Sequence, residues 1–525
     1  MHTSNAAQPI STSSTRWFHW AILGALLAIG AMIRRDRLEH ESFWPDEFWG
    51  ANYLATGRGN SVFELRPGVL LEPPPHMGLA GAPSWPHIWT NMQSAVHPPI
   101  YSILLRWWMD IFGERDVAVR SFSVVMSLIG MILLFDTVRR TSGPTTGLIA
   151  AALMALAISQ IDESQEARPY TLLALFGLLT CRAMLEVEWH GPTLWRLALL
   201  GLAVIATALT HYFAAGALAG LGIYALVRLR GRARIRVLIT FVAAVALMIA
   251  VWFPWFWQQH GQLSTQQNWS YDKRATIPLT LLRALFVPAM HLYFDFHTEW
   301  GLMISTAVLV YVLPLVFLRG RQHLLIWWFW VIGTVASLTI YDGLSHTWLI
   351  GYAKYSFILT PALFALLAEP LPWPGWRGWS IPAILVVSAA VFANERWREG
   401  PGARGDWRDV ALAANRAGPH DPLIFYPSSF WGSPAFWYMA FDHYVPNSQR
   451  PIMMLHDPAS EATLRQLAKY PRIWLIGPNP MQDAAKLLPG WKGQLPRNYP
   501  DGGGVEELDR ENPATSTAPS PAARP

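Results

Sequence analysis

Apolar residues gather in eleven runs along the chain, near 17–33, 117–138, 145–161, 169–186, 195–210, 213–228, 237–257, 300–318, 323–341, 352–368 and 379–394. A helix rising 1.5 Å per residue crosses about 30 Å of hydrocarbon in about 20 residues, so the pattern predicts a mainly α-helical, polytopic membrane bundle of about eleven spans. The first run follows a polar start ending in Arg16 and lacks a small-residue cleavage motif, which predicts a retained anchor. A further run, Pro98 to Phe112, is apolar but short, and it holds Arg106 and Asp110. That combination suits an interfacial helix on the outer surface better than a span. Trp85, Trp89, Tyr101, Trp107 and Trp108 in the same region suit the headgroup boundary.

Polar stretches divide the rest. The loop 34–116 reads as a surface-lying outer cap, and a second large outer loop covers about 258–298, as a lid or as a solvated connection. Beyond Asn394 the pattern changes. Pro422–Tyr426 and Arg472–Ile476 read as short buried strands, and 406–417, 433–441 and 459–469 as helices, which predicts a small α/β domain. The expected organisation is a cytoplasmic N-terminus at 1–16, a transmembrane module at 17–396 including the outer loop 34–116, an extracytoplasmic domain at 397–500, and a disordered tail at 501–525 rich in Gly, Pro, Ser, Thr and Ala. The C-terminal domain shows no Gly-rich phosphate loop, zinc spacing or nucleophile elbow, so a cap or recognition module is its expected role.

Charge sets the orientation. Of the 525 residues 52% are hydrophobic and only 14% charged, against about 25% in soluble domains. The net charge of +5 does not mark a nucleic-acid binder, because the Arg residues sit in short segments between spans. Arg139 and Arg140, then Arg228 to Arg236, then Arg319 and Arg321 mark the cytoplasmic side. Alternation from those loops puts the N-terminus inside and everything after 394 outside. The single cysteine, Cys181, lies in an apolar run, which excludes a disulfide framework and a cysteine metal site.

Chemistry-bearing residues collect at the outer ends of the runs. Phe43-Trp44-Pro45-Asp46-Glu47-Phe48 places two adjacent carboxylates just beyond the first run. Pro45 at a helix start with acids in the first turn also fits plain capping. Asp162-Glu163-Ser164-Gln165-Glu166-Ala167-Arg168-Pro169-Tyr170 forms a second constellation, which taken alone could be a solvated turn. His211-Tyr212 lies at the break between two runs, Lys354 with Tyr352 and Tyr355 at the start of another, and His97-Pro98-Pro99 opens the interfacial helix. A lone His at a helix end is commonly an interfacial filler, and a Lys there commonly snorkels to the headgroups. A sugar joined through phosphate to a membrane isoprenoid would need cations at the headgroup level, such as Arg168 and Lys354, for the leaving phosphate. The attacking hydroxyl would need a carboxylate base, as in an inverting sugar transfer, and Asp46 suits that role.

The order Pro45-Asp46-Glu47, His97-Pro98-Pro99-Ile100-Tyr101, Phe112-Gly113 with Arg120, Ser164-Gln165-Glu166-Ala167-Arg168-Pro169-Tyr170 and Thr210-His211-Tyr212-Phe213 resembles the polytopic glycosyltransferases of the C superfamily. Its motifs are most similar to the bacterial lipopolysaccharide-core galacturonosyltransferases, with aminoarabinose transferases and protein O-mannosyltransferases as more distant relatives. They span residues 43 to about 213, and Lys354-Tyr355 and Asp406-Trp407-Arg408 extend the likeness more loosely. The resemblance implies a hexosyl- or pentosyltransferase of the bacterial cytoplasmic membrane, a polyprenyl-phosphate-sugar donor, and a glycan, lipid or protein acceptor. It implies Asp46 and Glu47 as catalytic acids, and His97, Asp162, Glu166, Arg168, Tyr170, His211, Tyr212, Lys354 and Tyr355 as substrate-binding. No cofactor is fixed by it. A divalent cation, held by Asp46 and Glu166, stays open because some relatives use one. Two departures stand out: Asp162-Glu163 replaces aromatic residues, and Lys354 replaces the commoner Arg, giving a point charge without the bidentate fork.

A transporter or flippase of lipid-linked saccharides would also be polytopic and basic inside. Such proteins place ionisable residues near mid-membrane, whereas here the acids and His residues collect at outer ends. A catalytically dead lipid-binding member is disfavoured by the intact Asp46, Glu166 and Arg168.

Overall fold

The structure, a computed structural model, describes residues 15–510 apart from 37, 60, 93–94, 96, 267–269, 294–298, 319, 372, 399–406, 428–432 and 499–502. Asp406 and much of the expected tail therefore lie outside the described residues. The chain forms two compact units. One comprises Met1–His40 with Met92–Pro401, the other Glu41–Asn91 with Gly402–Pro525.

The first unit is helical, and the chain is a multi-pass membrane protein. Among the described residues six helices are long and apolar enough to cross a membrane: Trp17–Arg35, Asp116–Thr141, Tyr170–His190, Gly231–Gln259, Gln322–Ser345 and Arg377–Glu395. A seventh crossing is available if Pro144–Leu156 and Ile158–Ser164, bent by 57° at Ala157, act together. The sequence predicts about eleven, and the shortfall has physical causes. Leu194–Ala208 and Ala214–Arg228 hold 15 residues each, or about 22 Å of helix. The run near 352–368 is broken by a 3-10 turn at Phe357–Leu359 between Ala353–Ser356 and Thr360–Leu367. Near 300–318 the apolar stretch that can be measured is Leu309–Leu318. Ile100–Phe112, at 13 residues, is about 20 Å long and closes with an Arg106 to Asp110 ion pair of 2.8 Å.

The bend is held from outside. At Ala157 the backbone turns extended, leaving helix-end carbonyls unpaired. The buried Arg34 guanidinium donates to the carbonyls of Ala155 and Met154, each at 2.9 Å, and to Ser127 Oγ at 3.3 Å. Gln165 Nε2 in turn donates to the carbonyls of Ile33 and Arg34, at 3.2 and 3.0 Å, tying the bent segment to the first helix. Elsewhere small residues let backbones meet. A Cβ on Gly220 would collide with the Phe329 carbonyl, so Ala214–Arg228 and Leu325–Ser345 can pack this closely only with glycine there.

Ion pairs mark one end of the helical unit. Asp136 pairs with Arg139 and Arg140 at 2.5 and 3.0 Å, Glu188 with Arg228 at 2.8 Å, and Glu369 with Arg321 at 3.1 Å. These are the Arg residues by which the sequence marks the cytoplasmic side.

The second unit is built on a five-stranded mixed sheet in the order β2-β1-β3-β5-β4. Its strands are β1 (Leu423–Phe425), β2 (Ile452–Met454), β3 (Arg472–Gly477), β4 (Trp491–Asn498) and β5 (Gly504–Arg510). β1 runs parallel to β2 and β3, while β5 runs antiparallel to β3 and β4. The strands expected at 422–426 and 472–476 are β1 and β3. β5 falls inside the stretch expected to be a disordered tail from 501: Val505 and Leu508 are buried, and the flanking Gly and Pro residues mask that short buried segment.

The first outer loop belongs to this sheet. Leu71 forms an antiparallel bridge with Ile452, Gly68 N–H donates to the Met454 carbonyl at 2.8 Å, and Leu70 packs into the sheet core. Residues 66–72 thereby cover the β2 edge, which would otherwise expose unpaired backbone groups. Further along the loop, Asp442 takes hydrogen bonds from the His76 ring at 2.9 Å and from Met77 N–H at 2.8 Å.

Candidate functional site

In the helical unit a polar cluster forms at the ends of six helices. His97 precedes the Ile100–Phe112 helix, and Asp162, Glu163, Glu166 and Arg168 lie between the bent segment and Tyr170–His190. His211 sits in the break between Leu194–Ala208 and Ala214–Arg228, and Lys354 in the short Ala353–Ser356 helix. Ser123 Oγ donates to the Arg168 carbonyl at 3.4 Å, whereas Arg182, which meets Asp136 at 3.6 Å, is twelve residues further along the helix that follows Arg168. Twelve residues are about 18 Å of helix, so the cluster lies at the opposite end from the ion-paired arginines.

The hydrogen bonds fix the state of both histidines. Arg168 Nη2 can only donate, and it approaches His97 Nε2 at 3.4 Å, so neutral His97 carries its proton on Nδ1. Phe213 N–H donates to His211 Nδ1 at 3.1 Å, so neutral His211 carries its proton on Nε2. Neither His97 Nδ1 nor His211 Nε2 has a hydrogen-bond partner among the described residues. The rings lie 4.6 Å apart, and Tyr170 stands 5.6 Å from His211. Two adjacent imidazoles thus hold unspent N–H donors beside two cations.

Burial, first, and then the fields of Arg168 and Lys354 disfavour the charged rings. His97 is held well below the usual imidazole range, with His211 adding to the effect, and His211 is pushed down to about 3. Below pH 6.5 the unfolded chain takes up protons that the folded ring refuses, so stability is full above that pH and falls on acidification toward pH 3. For His211 the loss is about 2 kcal/mol at pH 5. Thermal unfolding in detergent at pH 7 and pH 5 checks this: the drop is expected to be smaller in His211→Phe than in the wild type.

The acids stand around the same cations. Glu163 lies within electrostatic reach of Glu166, Lys354, Asp162 and Arg168, and its Oε2 has no hydrogen-bond partner among the described residues. Lys354 approaches the Tyr355 ring at 5.3 Å, and Tyr355 packs edge-on against Phe213 at 5.3 Å, joining Tyr355 to the turn that carries His211. Tyr212 is engaged elsewhere: its hydroxyl donates to Gln259 and accepts from Trp252 at 2.9 Å.

Asp46 and Glu47 belong to the other unit. Pro45–Phe48 is a four-residue helix, and Glu47, fully buried, accepts the Trp44 N–H at 3.4 Å. Asp46 is half-buried. A π-helical turn, Trp49–Leu54, follows directly, a geometry that recurs at functional sites. Phe43 and Phe48 are fully buried: Phe43 stacks on His443 at 4.8 Å, and Phe48 meets Trp407 at 6.3 Å and Tyr444 at 6.0 Å. Phe43 N–H donates to Tyr444 Oη at 2.7 Å, and Arg408 donates to the Glu41 carbonyl at 3.3 Å. Among the described residues no group of three His, Cys, Asp or Glu side chains is placed to hold a metal ion.

Residues 96–257 match the family model described as dolichyl-phosphate-mannose-protein mannosyltransferase. No curated protein matches the chain. Among solved structures, ArnT from Cupriavidus metallidurans bound to undecaprenyl phosphate superposes with a TM-score of 0.56 at 13% identity, over 96% of this chain and 100% of that one. The same enzyme in the apo state gives 0.58 at 14% identity, over 93% and 98%. The Archaeoglobus fulgidus oligosaccharyltransferase AglB, in complex with an inhibitory peptide and a dolichol-phosphate, gives 0.50 at 10%, over 96% and 75%. The chain shares its fold with these two membrane enzymes.

Within this fold several residues escape a reading of the sequence. His443 and Tyr444 pack against Phe43 and Phe48 beside Asp46, yet they lie in a segment with no motif of its own, whereas Trp407, which also meets Phe48, belongs to the Asp406-Trp407-Arg408 likeness. Arg34 looks like an ordinary helix-end arginine but is fully buried and caps another helix. Gln165 lies within the second constellation and offered the best available signal, a polar amide between charged neighbours.

Proposed function

We propose that this protein is an inverting membrane glycosyltransferase that moves a sugar from a polyprenyl-phosphate donor to an acceptor hydroxyl on the outer face of the bacterial cytoplasmic membrane. The observation that carries the reading is the pair of unspent N–H donors on His97 and His211 beside Arg168 and Lys354. Donors and cations in a buried setting suit an anionic phosphate ester. The undecaprenyl and dolichol phosphates named with ArnT and AglB agree with that ligand class.

In this reading the acceptor oxygen attacks the anomeric carbon as the bond to the phosphate oxygen breaks. The phosphate leaves with the bonding electrons, neutralised by Arg168 and Lys354. The hydroxyl proton passes to the Asp46 carboxylate, which is better suited than the enclosed Glu47 because Asp46 is half-buried. Glu47 keeps the Pro45–Phe48 helix in place, and Asp162, Glu166, Tyr170, Tyr212 and Tyr355 line or support the substrate. Eleven crossings are the topology we favour, the 15-residue helices crossing where the bilayer thins around them, since each apolar run holds a helix or part of one. The short motifs favour the lipopolysaccharide-core galacturonosyltransferase branch. The C-terminal domain together with the first outer loop would select the acceptor.

Arg168→Ala and Lys354→Ala are each expected to raise the KM for the lipid-linked donor about tenfold or more, the worth of a lost charge-assisted hydrogen bond. Steady-state kinetics with varied donor measure it. Unchanged donor KM in both variants would remove the phosphate clamp.

A further inference from the structure

Behind the charged cluster lies a second polar group that the proposed reaction does not use. His291, in the short Val287–Tyr293 helix, is fully buried. Its Nδ1 lies 3.2 Å from Ser159 Oγ and its Nε2 lies 3.0 Å from Ser356 Oγ. Ser159 Oγ donates to the His291 carbonyl at 2.9 Å, so its one proton is spent there. Nδ1 then donates to Ser159, which leaves Nε2 to accept the Ser356 hydroxyl, at 3.0 Å a shorter contact than the 3.3 Å from that hydroxyl to the Ala353 carbonyl. Both serines are buried as well. Burial pushes the ring down to about 3, so it stays neutral and keeps this pattern throughout the physiological range.

The two serines matter for what stands next to them. Ser159 lies three and four residues before Asp162 and Glu163 on the Ile158–Ser164 helix, and Ser356 lies two residues after Lys354 on the Ala353–Ser356 helix. These helices are far apart in sequence and each is one or two turns long, too short to hold a fixed orientation alone. A second tie runs parallel to the first: Gln160 Nε2 donates to Thr360 Oγ1 at 2.9 Å. Since Glu163 and Lys354 act on one another electrostatically, their separation depends on how these two helices are joined.

We propose that His291 is a positioning residue of the donor site: by pinning Ser159 to Ser356 it fixes Lys354 against the Asp162–Glu166 segment in the geometry that receives the lipid phosphate. The inference rests on the donor-binding reading given above. His291 touches no reacting atom and acts through Lys354.

Donor KM and kcat measured for the wild type, His291→Phe, Ser356→Ala, Lys354→Ala and the double variant His291→Phe/Lys354→Ala test it. His291→Phe fills the space without the ring nitrogens and is expected to raise donor KM about fivefold to tenfold, with kcat within a factor of two. His291→Asn, which can still donate toward Ser159, is expected to recover part of that loss. Because His291 acts through Lys354, the double variant is expected to be no worse than Lys354→Ala alone. Additive losses, or a fall in kcat with KM unchanged, would overturn the proposal. If His291→Phe does not fold, Ser356→Ala removes only one hydroxyl and is expected to move donor KM in the same direction by a few-fold. A folded Ser356→Ala with wild-type KM would also overturn it. If Lys354→Ala itself leaves donor KM unchanged, the donor-binding reading fails. If Lys354→Ala raises KM and folded His291→Phe does not, only the present inference fails.

Discussion

Asp46→Asn is expected to lower sugar transfer by at least about a thousandfold while the protein stays folded, because the amide keeps the shape of the carboxylate and cannot take the acceptor proton. The fold of this segment is expected to survive the change. The packing comes from Phe43 and Phe48, fully buried against His443, Tyr444 and Trp407, and the backbone is capped by Glu47 rather than by Asp46. Burying two Phe side chains contributes roughly 3–6 kcal/mol by area. Glu47→Gln is expected to separate the two acids: it weakens the cap on Trp44 N–H and lowers thermal stability by about 1 kcal/mol, with a much smaller loss of turnover. Melting curves and turnover measured on the same preparations distinguish the roles. A folded Asp46→Asn variant with near-normal turnover would remove Asp46 as the base.

Deleting 402–525 is expected to abolish transfer, although no residue in that stretch is assigned to the reaction. The first outer loop and the C-terminal segment make one compact unit. Without β2 the bridge from Leu71 to Ile452 is lost, and without the Ala435–Tyr444 helix so are the contacts of Phe43, His76 and Met77. The loop bearing Asp46 then has no hydrophobic surface to fold against and becomes open to proteolysis within 41–91. A finer variant makes the same point. Asp442→Ala leaves the His76 ring and the Met77 N–H without their acceptor, at a cost of about 3 kcal/mol for a buried charged acceptor. Limited proteolysis followed by mass spectrometry reads both variants. A truncated protein whose loop stays resistant, and which still transfers sugar, would show that the loop folds alone.

The long helices were legible because about twenty apolar residues in a row leave the backbone no alternative in a bilayer. The 57° bend at Ala157 was not, since no proline or glycine marks it and the donors that stabilise it come from Arg34 on another helix. β1 and β3 were visible as uninterrupted apolar stretches, while β5 is hidden by glycine-rich flanks. Nothing local announces that Leu70 meets Gln466, 396 residues away. The candidate site was legible as residue types: Asp162, Glu166, Arg168, His97, His211 and Lys354 gather in one cluster of the helical unit. The proton positions on His97 and His211 were not legible, because they depend on Arg168 Nη2 and Phe213 N–H, whose placement only the fold provides. The adjacency of Asp46 and Glu47 suggested similar roles, yet a helix turns successive side chains about 100° apart, and one acid is enclosed while the other is not.

The central claim is transfer from a polyprenyl-phosphate sugar. The most direct measurement incubates the purified protein and its Asp46→Asn variant with labelled polyprenyl-phosphate sugars and an envelope extract, and follows release of free polyprenyl phosphate. Release is expected from the wild type alone, from one donor, which would also name the sugar. No release from any donor, under conditions where a known superfamily enzyme turns over, would contradict it.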